Sequence, residues 1–291
     1  MRGFEAMNMR RTLFFFLLVM MTSAIAVACA EETTIHVIDV GTGDAVLVQT
    51  NDSNILIDAG SDRNSTASYL SGHNITELSL FLVTSRAYGK IGGILEVMNR
   101  TTVHEYRDIN SLAAFPFYHR ITEHIRNESI PYSSLVPGEV IPFSQDGTIE
   151  VVPVNQTDIP PDDEVILCIT VGNISMLLLS EEAAPQISLK EPVQILRVPD
   201  HGSREGYDAR FIQKVQPEIA IINVGREGNG PNKATVMGLE AAGAEVYRTD
   251  IKGTILITTD GQKYSIGSNR SSPTGGSISL ISVIETRPPG N

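Results

Sequence analysis

The sequence predicts an α/β (α+β) protein in which two β-sheets are sandwiched between helices. Two blocks of strand-like segments, each interspersed with helix-like segments, carry this prediction, because a sheet must bury its apolar face against another layer. The composition agrees with a folded domain. Of 291 residues, 42% are hydrophobic and 19% are charged, which supplies a full core and excludes a disordered chain.

The first block consists of short apolar runs separated by turn residues. Strands are predicted at 34–40, 45–50, 54–58 and 80–84, and helices at 62–70 and 90–98. A less regular middle region follows. It contains one further predicted helix, 117–127, in which Ile121 and Ile125 lie four residues apart and so share a helix face.

The second block begins with a strand and an uncharged hairpin and then alternates strands with helices. The hairpin is interpreted as two core strands, with pairing between chains at an exposed sheet edge as the alternative. Strands are predicted at 148–154, 165–171, 174–179, 193–198, 218–224, 245–248, 254–259 and 263–266, and helices at 207–215 and 233–242.

The two ends of the chain differ in composition from the rest. Residues 1–30 have the pattern of a secretory signal: two arginines, a short apolar run and then small residues. Cleavage is expected after Ala28 or Ala30, and Cys29 is a candidate lipid anchor. The Ser/Gly/Pro-rich residues 268–291 predict a flexible tail. One domain, 31–267, is therefore expected in a secreted protein of the cell surface or envelope, with no transmembrane segment in the mature chain.

Charge and glycosylation motifs indicate what kind of partner to expect. The formal net charge is −12, and since phosphate neutralisation needs Lys and Arg, nucleic acid is not favoured as a partner. N-x-Ser/Thr motifs are dense, which in an exported chain indicates N-glycosylation, the alternative being an Asn- and Ser/Thr-rich surface. The candidates are Asn51, Asn64, Asn74, Asn99, Asn127, Asn155, Asn173 and Asn269.

Several motifs occur in an order that is similar to a known family. Gly-Thr-Gly-Asp at 41–44 is followed by Leu-Ile-Asp-Ala-Gly at 56–60, and later by Val-Pro-Asp-His-Gly-Ser at 198–203. This order resembles the metallo-β-lactamase superfamily, in its ComEC-type competence-protein branch. The resemblance implies a four-layer αββα sandwich, in which Asp39 and Asp44 are expected to brace a strand turn.

The resemblance also implies a metal centre, but the residues at its ligand positions are altered. The family usually binds one or two metal ions through a His-x-His-x-Asp-His motif, and zinc needs at least three N, O or S donors. Here Ala and Gly offer no donor atom, Ser is a poor ligand, and Lys adds a positive charge. The degenerate former ligand positions are Ser85, Ala87, Gly89, Lys90, Glu181, Asp200, His201 and Gly230.

The sequence therefore favours a protein that has lost catalysis, with no catalytic residue and no cofactor assigned. Its expected role is a structural or binding component of an envelope, sheath or surface layer, which associates with itself through β-strands or with other surface components.

Two alternatives stay open at this point. One is a divergent metal-dependent hydrolase, similar to a nuclease or phosphodiesterase, with one weakly bound divalent metal at Asp58, Glu181, Asp200 and His201. The other is a receptor for a small anion at a residual polar site that contains Asp58, Arg86, Lys90 and His201.

Overall fold

The strands form two facing sheets in a computed structural model, which describes residues 31–109, 116–153, 164–179, 187, 189, 193–225 and 230–269. Within these ranges the first sheet has the order β17-β16-β1-β2-β3-β5-β7-β8, and β4 and β6 pair in a separate small sheet. The bounds are β1 Thr33–Val37, β2 Val46–Gln49, β3 Asn54–Ile57, β4 Glu77–Leu78, β5 Leu80–Leu82, β6 Thr102–Val103, β7 Tyr106–Asp108, β8 Tyr132–Ser134, β16 Thr254–Thr259 and β17 Tyr264–Asn269.

The direction of pairing changes within the first sheet. Strands β1, β2 and β3 form an antiparallel meander, whereas β3, β5, β7 and β8 run parallel, with Ile55 opposite Leu80. Parallel neighbours place their carboxyl ends at one edge of the sheet. The residues that follow β3 and β5 therefore lie side by side.

The second sheet has the order β15-β14-β13-β12-β11-β10-β9. Strands β11 and β12 form the predicted uncharged hairpin, and each has a neighbour on both sides. The alternative in which this hairpin pairs with another chain is therefore wrong, because neither strand has a free edge. The bounds are β9 Val140–Pro142, β10 Gly147–Val152, β11 Ile166–Val171, β12 Ile174–Leu178, β13 Ile195–Arg197, β14 Ile219–Ile222 and β15 Glu245–Arg248.

Helices cover the outer faces of both sheets and complete the predicted αββα sandwich. Apolar residues of the two inner sheet faces form one core with Ala67 and Leu70 of the first helical layer, and Phe211 and Leu239 pack on the second sheet. The helices are α1 Ser65–Gly72, α2 Tyr88–Ile91, α3 Ile94–Arg100, α4 Pro116–Asn127, α5 Ala209–Val215, α6 Lys233–Ala241, α7 Thr249–Lys252 and a 3₁₀ turn, Asp200–Gly202.

The predicted helix over 90–98 is divided into α2 and α3 at two glycines. A Cβ atom on Gly92 would lie 2.1 Å from the Ser61 carbonyl oxygen, and one on Gly93 would lie 2.3 Å from the Ala59 carbonyl oxygen. The loop after β3 thus passes directly against this backbone. Only glycine allows that approach, and the helix breaks where the contact occurs.

The ends of the chain are described only in part. Residues 1–30 and 270–291, which hold the predicted signal, Cys29 and most of the predicted tail, lie outside the described ranges. Strand β17 continues to Asn269, two residues past the predicted domain boundary. None of the helices in the described ranges is long and apolar enough to cross a membrane.

A buried histidine on β1 gives the fold an acid-sensitive position. His36 Nδ1 lies 2.8 Å from the Tyr69 hydroxyl, and His36 Nε2 has no hydrogen-bond partner among the described residues. Burial, and to a lesser extent the charge of His73, lowers the pKa of His36 from 6.5 to about 4. The folded protein therefore keeps this ring neutral at a pH where the unfolded chain protonates it.

Replacing His36 with Phe should remove part of the acid sensitivity of folding. In the unfolded wild type His36 is protonated below pH 6.5, whereas in the folded protein it is protonated only below about pH 4. The free energy of unfolding therefore decreases as the pH falls from 6.5 to about 4. The His36 contribution is about 3 kcal/mol. Urea unfolding at several pH values should show that His36→Phe lacks this decline.

The matched control is His104→Phe, because the His104 side chain is largely exposed beside Glu77. The control should keep the wild-type pH profile. Equal acid sensitivity of wild type and His36→Phe would contradict the prediction.

Candidate functional site

The candidate site begins at the carboxyl ends of β3 and β5. Asp58 directly follows β3, and its backbone lies in the left-handed region, with φ of 59°. The Thr84 backbone N–H donates to Asp58 Oδ1 at 2.8 Å, and the Thr84 hydroxyl donates to Asp58 Oδ2 at 2.7 Å. These two hydrogen bonds fix the carboxylate against the end of the neighbouring strand.

The Lys90 ammonium lies beside this carboxylate and is surrounded by oxygen atoms. Lys90 is only 2% exposed. Its Nζ donates to Thr84 Oγ1 at 3.1 Å and to Glu164 Oε1 at 3.2 Å, while Asp44 Oδ2 and Asp58 Oδ2 each lie 3.9 Å away. A buried ammonium needs such compensation, because isolated charges are strongly disfavoured in a protein interior.

Arg197 extends the set of charges to the second sheet. Its guanidinium pairs with Asp44 Oδ1 through Nη2 and donates to the Leu179 carbonyl oxygen at 2.7 Å through Nη1. Asp44 lies between β1 and β2, whereas Arg197 belongs to β13. We call Asp44, Asp58, Lys90, Glu164 and Arg197 the ion cluster; it joins the two sheets at one edge of the sandwich.

The electrostatics of the ion cluster keep Lys90 charged. Burial lowers the pKa of Lys90, but attraction to Asp58, Glu164 and Asp44 outweighs it and the net pKa is raised. Burial raises the pKa of Asp58 to about 6, against the opposing effects of Lys90 and the hydrogen bonds from Thr84. Near neutral pH both groups of this pair are therefore ionised.

Tightly packed loops hold the ion cluster in place. The Asp44 N–H donates to the Gly89 carbonyl oxygen at 2.9 Å, and the Ala59 N–H donates to the Lys90 carbonyl oxygen at 2.7 Å. A Cβ atom on Gly43 would lie 2.4 Å from the Gly89 carbonyl oxygen. The Gly-Thr-Gly-Asp segment thus uses glycine to bring its backbone against the altered ligand motif.

The other positions of that motif serve the backbone. Ser85 is buried, and its hydroxyl accepts a hydrogen bond from the Ala87 N–H at 3.1 Å. Residues Ser85 and Glu164 also form an isolated antiparallel bridge. This segment therefore positions Glu164 above Lys90.

The more distant predicted positions form a second, strained turn. Asp200 and His201 have φ of 45° and 50°, unusual for residues other than glycine. The Ser203 hydroxyl donates to Asp200 Oδ2, and His201 Nδ1 lies 3.0 Å from the Asn223 carbonyl oxygen. Both side chains therefore stabilise the local loop structure.

A cation also lies beside the last of the predicted positions. A Cβ atom on Gly230, whose φ is +68°, would lie 3.0 Å from Arg248 Nη2. Arg248 in turn pairs with Asp250, at 3.1 Å through Nε and 2.6 Å through Nη2. Glu181, the remaining predicted position, lies outside the described residues.

Comparisons with known proteins show which proteins this architecture resembles. No family model matches the chain. Over 256 residues it is 22% identical to ComE operon protein 3 of Bacillus subtilis strain 168, which covers 78% of this chain and 33% of that protein. The chain thus spans about a third of the length of the curated relative it matches.

Two solved structures resemble it in fold. The metallo-β-lactamase fold protein YhfI from Bacillus subtilis matches with a TM-score of 0.59 and 14% identity, over 79% of this chain and 100% of that one. The chain has the metallo-β-lactamase fold. Igni18, a metallo hydrolase from the archaeon Ignicoccus hospitalis, matches with a TM-score of 0.50 and 16% identity, over 77% of this chain and 98% of that one.

The residues present do not fit the metal that this fold implies. Within the ranges that the structure describes, no group of three or more His, Cys, Asp or Glu side chains is arranged to hold a metal ion. At the altered motif, the group nearest the carboxylates is the Lys90 ammonium. It cannot bind a metal ion while it is protonated, because its nitrogen has no free lone pair. Asp58, Asp200 and His201 are thus not assembled into a ligand set.

The ion cluster also bears on the predicted anion site. Lys90 is buried and faces three carboxylates, so an anion would replace attraction with repulsion there. Arg86 is half-buried on the same loop, and the neighbouring Tyr88 is 71% exposed. The arrangement therefore disfavours an anion site that includes Lys90.

Sequence reasoning missed two members of the ion cluster and the main contact of a third. Glu164 precedes a long uncharged strand, and Arg197 is the one charged residue of β13. A single charged residue in or next to an otherwise apolar strand indicates a buried ion pair. The reason is that a charged side chain is almost never fully buried without a partner of opposite charge. Asp44 was expected to brace a turn; it also pairs with Arg197.

Replacing Arg197 with Met should destabilise the protein by about 3–5 kcal/mol, because it leaves the Asp44 carboxylate buried beside a neutral side chain. Urea unfolding near neutral pH measures the loss.

The matched control is Arg210→Met, since Arg210 is exposed on α5. It should stay within about 0.5 kcal/mol of wild type. A loss for Arg197→Met no larger than that of the control would show that the ion pair between the sheets contributes little.

Proposed function

We propose that this chain is a non-catalytic protein of the metallo-β-lactamase fold that is exported and serves as a structural or binding component of the cell surface. One observation carries the loss of catalysis: the Lys90 ammonium occupies a ligand position of the family motif and is held there by Asp44, Asp58 and Glu164.

The chemistry of that ammonium argues against hydrolysis at this site. A metal ion activates water by accepting its lone pair and lowering its pKa, which an ammonium cannot do because it has no vacant orbital. A divalent ion 4 Å from the ammonium would meet a repulsion of about 8 kcal/mol at an effective dielectric constant of 20. Metal and ammonium are therefore mutually exclusive occupants.

The signal pattern of residues 1–30 and the placement of the glycosylation candidates support a role outside the cell. Within the described ranges, the exposed candidates are Asn51, Asn64, Asn74, Asn99, Asn127 and Asn173, while Asn269 is half-buried; Asn155 lies outside. Exposed asparagines are what a glycosylating enzyme requires.

These candidates favour one helical layer. Asn64 and Asn74 flank α1, Asn99 lies in α3 and Asn127 ends α4, so four of them belong to the layer over the first sheet. No candidate falls between positions 174 and 268, which include α5 and α6. Glycans would therefore cover one outer layer and leave the other accessible to partners.

Metal analysis tests the loss of catalysis. Protein purified in the presence of zinc and manganese, then desalted, should carry far less than one metal ion per chain by mass spectrometry of the elements. It should also show no EDTA-sensitive hydrolysis of an activated phosphodiester.

The matched positive control restores three ligand positions in one variant, Ser85→His, Ala87→His and Lys90→His, and should gain bound metal. One stoichiometric metal ion in the wild type, together with EDTA-sensitive hydrolysis, would instead favour the divergent hydrolase.

Mass spectrometry of a cell-surface fraction tests export and location. The native chain should begin near residue 29 or 31, be abundant in that fraction and carry glycan on the exposed asparagines of the first helical layer. An intact N-terminus in a cytoplasmic fraction would contradict the proposed role at the cell surface. Unmodified asparagines on exported protein would contradict the proposed glycosylation.

A further inference from the structure

We infer that the ion cluster is a cation site whose resident cation is the Lys90 ammonium, and that this tethered cation links the two sheets. The inference rests on the proposed function in one respect, namely that no metal competes with Lys90. It adds that the oxygen atoms around Lys90 would accept a hard or alkylammonium cation when the Lys90 side chain is removed.

Four oxygen atoms from four separate chain segments surround Lys90 Nζ. Thr84 Oγ1 and Glu164 Oε1 accept hydrogen bonds at 3.1 and 3.2 Å, and Asp44 Oδ2 and Asp58 Oδ2 lie at 3.9 Å. An all-oxygen environment without nitrogen or sulfur donors suits ammonium and hard cations rather than soft metals.

A separate observation on Asp44 also indicates that a cation belongs at this position. Asp44 is almost fully buried, yet its Oδ2 has no hydrogen-bond partner among the described residues. A buried carboxylate oxygen without a donor is costly, and the positive charge of Lys90 is what compensates it. Asp44 Oδ2 is thus directed at the cation.

The charges of the ion cluster favour a cation at this position. Asp44, Asp58 and Glu164 all place a carboxylate oxygen within 4 Å of Lys90 Nζ. Without Lys90 these buried carboxylates would lose that cation, which raises the free-energy cost of keeping them ionised. An ammonium or a divalent cation at the same position would lower that cost.

The position of Glu164 explains how the cation links the sheets. Glu164 precedes β11 of the second sheet, and the next residue, Val165, donates its N–H to the Thr84 carbonyl oxygen at 2.9 Å. Lys90 and Thr84 belong to segments that follow β5 of the first sheet. The ammonium therefore lies between groups supplied by both sheets, in the position from which a bridging ion would act.

Two variants at position 90 test the inference by thermal unfolding of the full chain. Lys90→Ala removes the atoms of a propylammonium ion and leaves a space lined by oxygens. Lys90→Met removes the charge but fills the space. Both should unfold at least about 6 °C below wild type, because both leave the carboxylates without their cation.

Added cations should then separate the two variants. n-Propylammonium chloride or manganese chloride should raise the unfolding temperature of Lys90→Ala, in a saturable manner, and leave Lys90→Met unchanged. Tetramethylammonium chloride at equal ionic strength is the control salt, since this ion is too bulky and donates no hydrogen bond. Lys263→Ala, at an exposed lysine, is the control variant and should respond to none of them.

Two results would contradict the inferred cation site. A Lys90→Met protein as stable as wild type, or a Lys90→Ala protein that neither cation stabilises over tetramethylammonium, would overturn the inference. If Lys90→Ala does not fold in plain buffer, it is refolded in the presence of each salt. Recovery of folded protein with n-propylammonium but not with tetramethylammonium supports the site. No recovery with either n-propylammonium or manganese counts against it. Metal bound to the wild type would defeat the proposed function but leaves this rescue measurement valid.

Discussion

A buried ammonium is the constraint on which this end of the molecule depends. Lys90 can stay charged in the interior only if oxygen atoms surround it, and those oxygens come from loops that are distant in sequence. The loops after β1, β3 and β5 and the start of β11 must therefore meet at one point. Their backbones are tied together as well, for example by the hydrogen bond from Ala59 to Lys90.

The same edge contains strained backbone at three residues other than glycine. Asp58, Asp200 and His201 adopt left-handed conformations that cost free energy in residues other than glycine. Each is held by specific partners: Thr84 bonds to Asp58, and the Asn223 carbonyl oxygen lies beside the His201 ring. In the proposed non-catalytic role these turns would serve the fold of this edge alone, in keeping with the general rule that a fold does not fix an activity.

Much of the fold was predictable because long apolar runs and glycine turns mark most strands and the hairpins. Strands β4, β6, β7, β8 and β9 were missed, because each has only two or three residues and none lies within a longer apolar run. At the site, the change of a ligand position to Lys90 was visible, but its partner was not. Glu164 lies 74 residues away along the chain, just before β11 of the other sheet. Such a pairing depends on how the two sheets pack, which local sequence patterns do not contain.

Burial of the ion cluster limits where a partner could bind. Lys90 is almost inaccessible and the Glu164 side chain above it is only 10% exposed, so no ligand reaches the carboxylates without opening the loops. Opening would separate ion pairs that compensate one another, and it would expose a site that prefers cations. In the proposed binding role, a partner therefore has to contact side chains outside the ion cluster. At this edge the exposed Tyr88 offers an aromatic surface, and on the outer layer without glycosylation candidates Met237 of α6 is exposed.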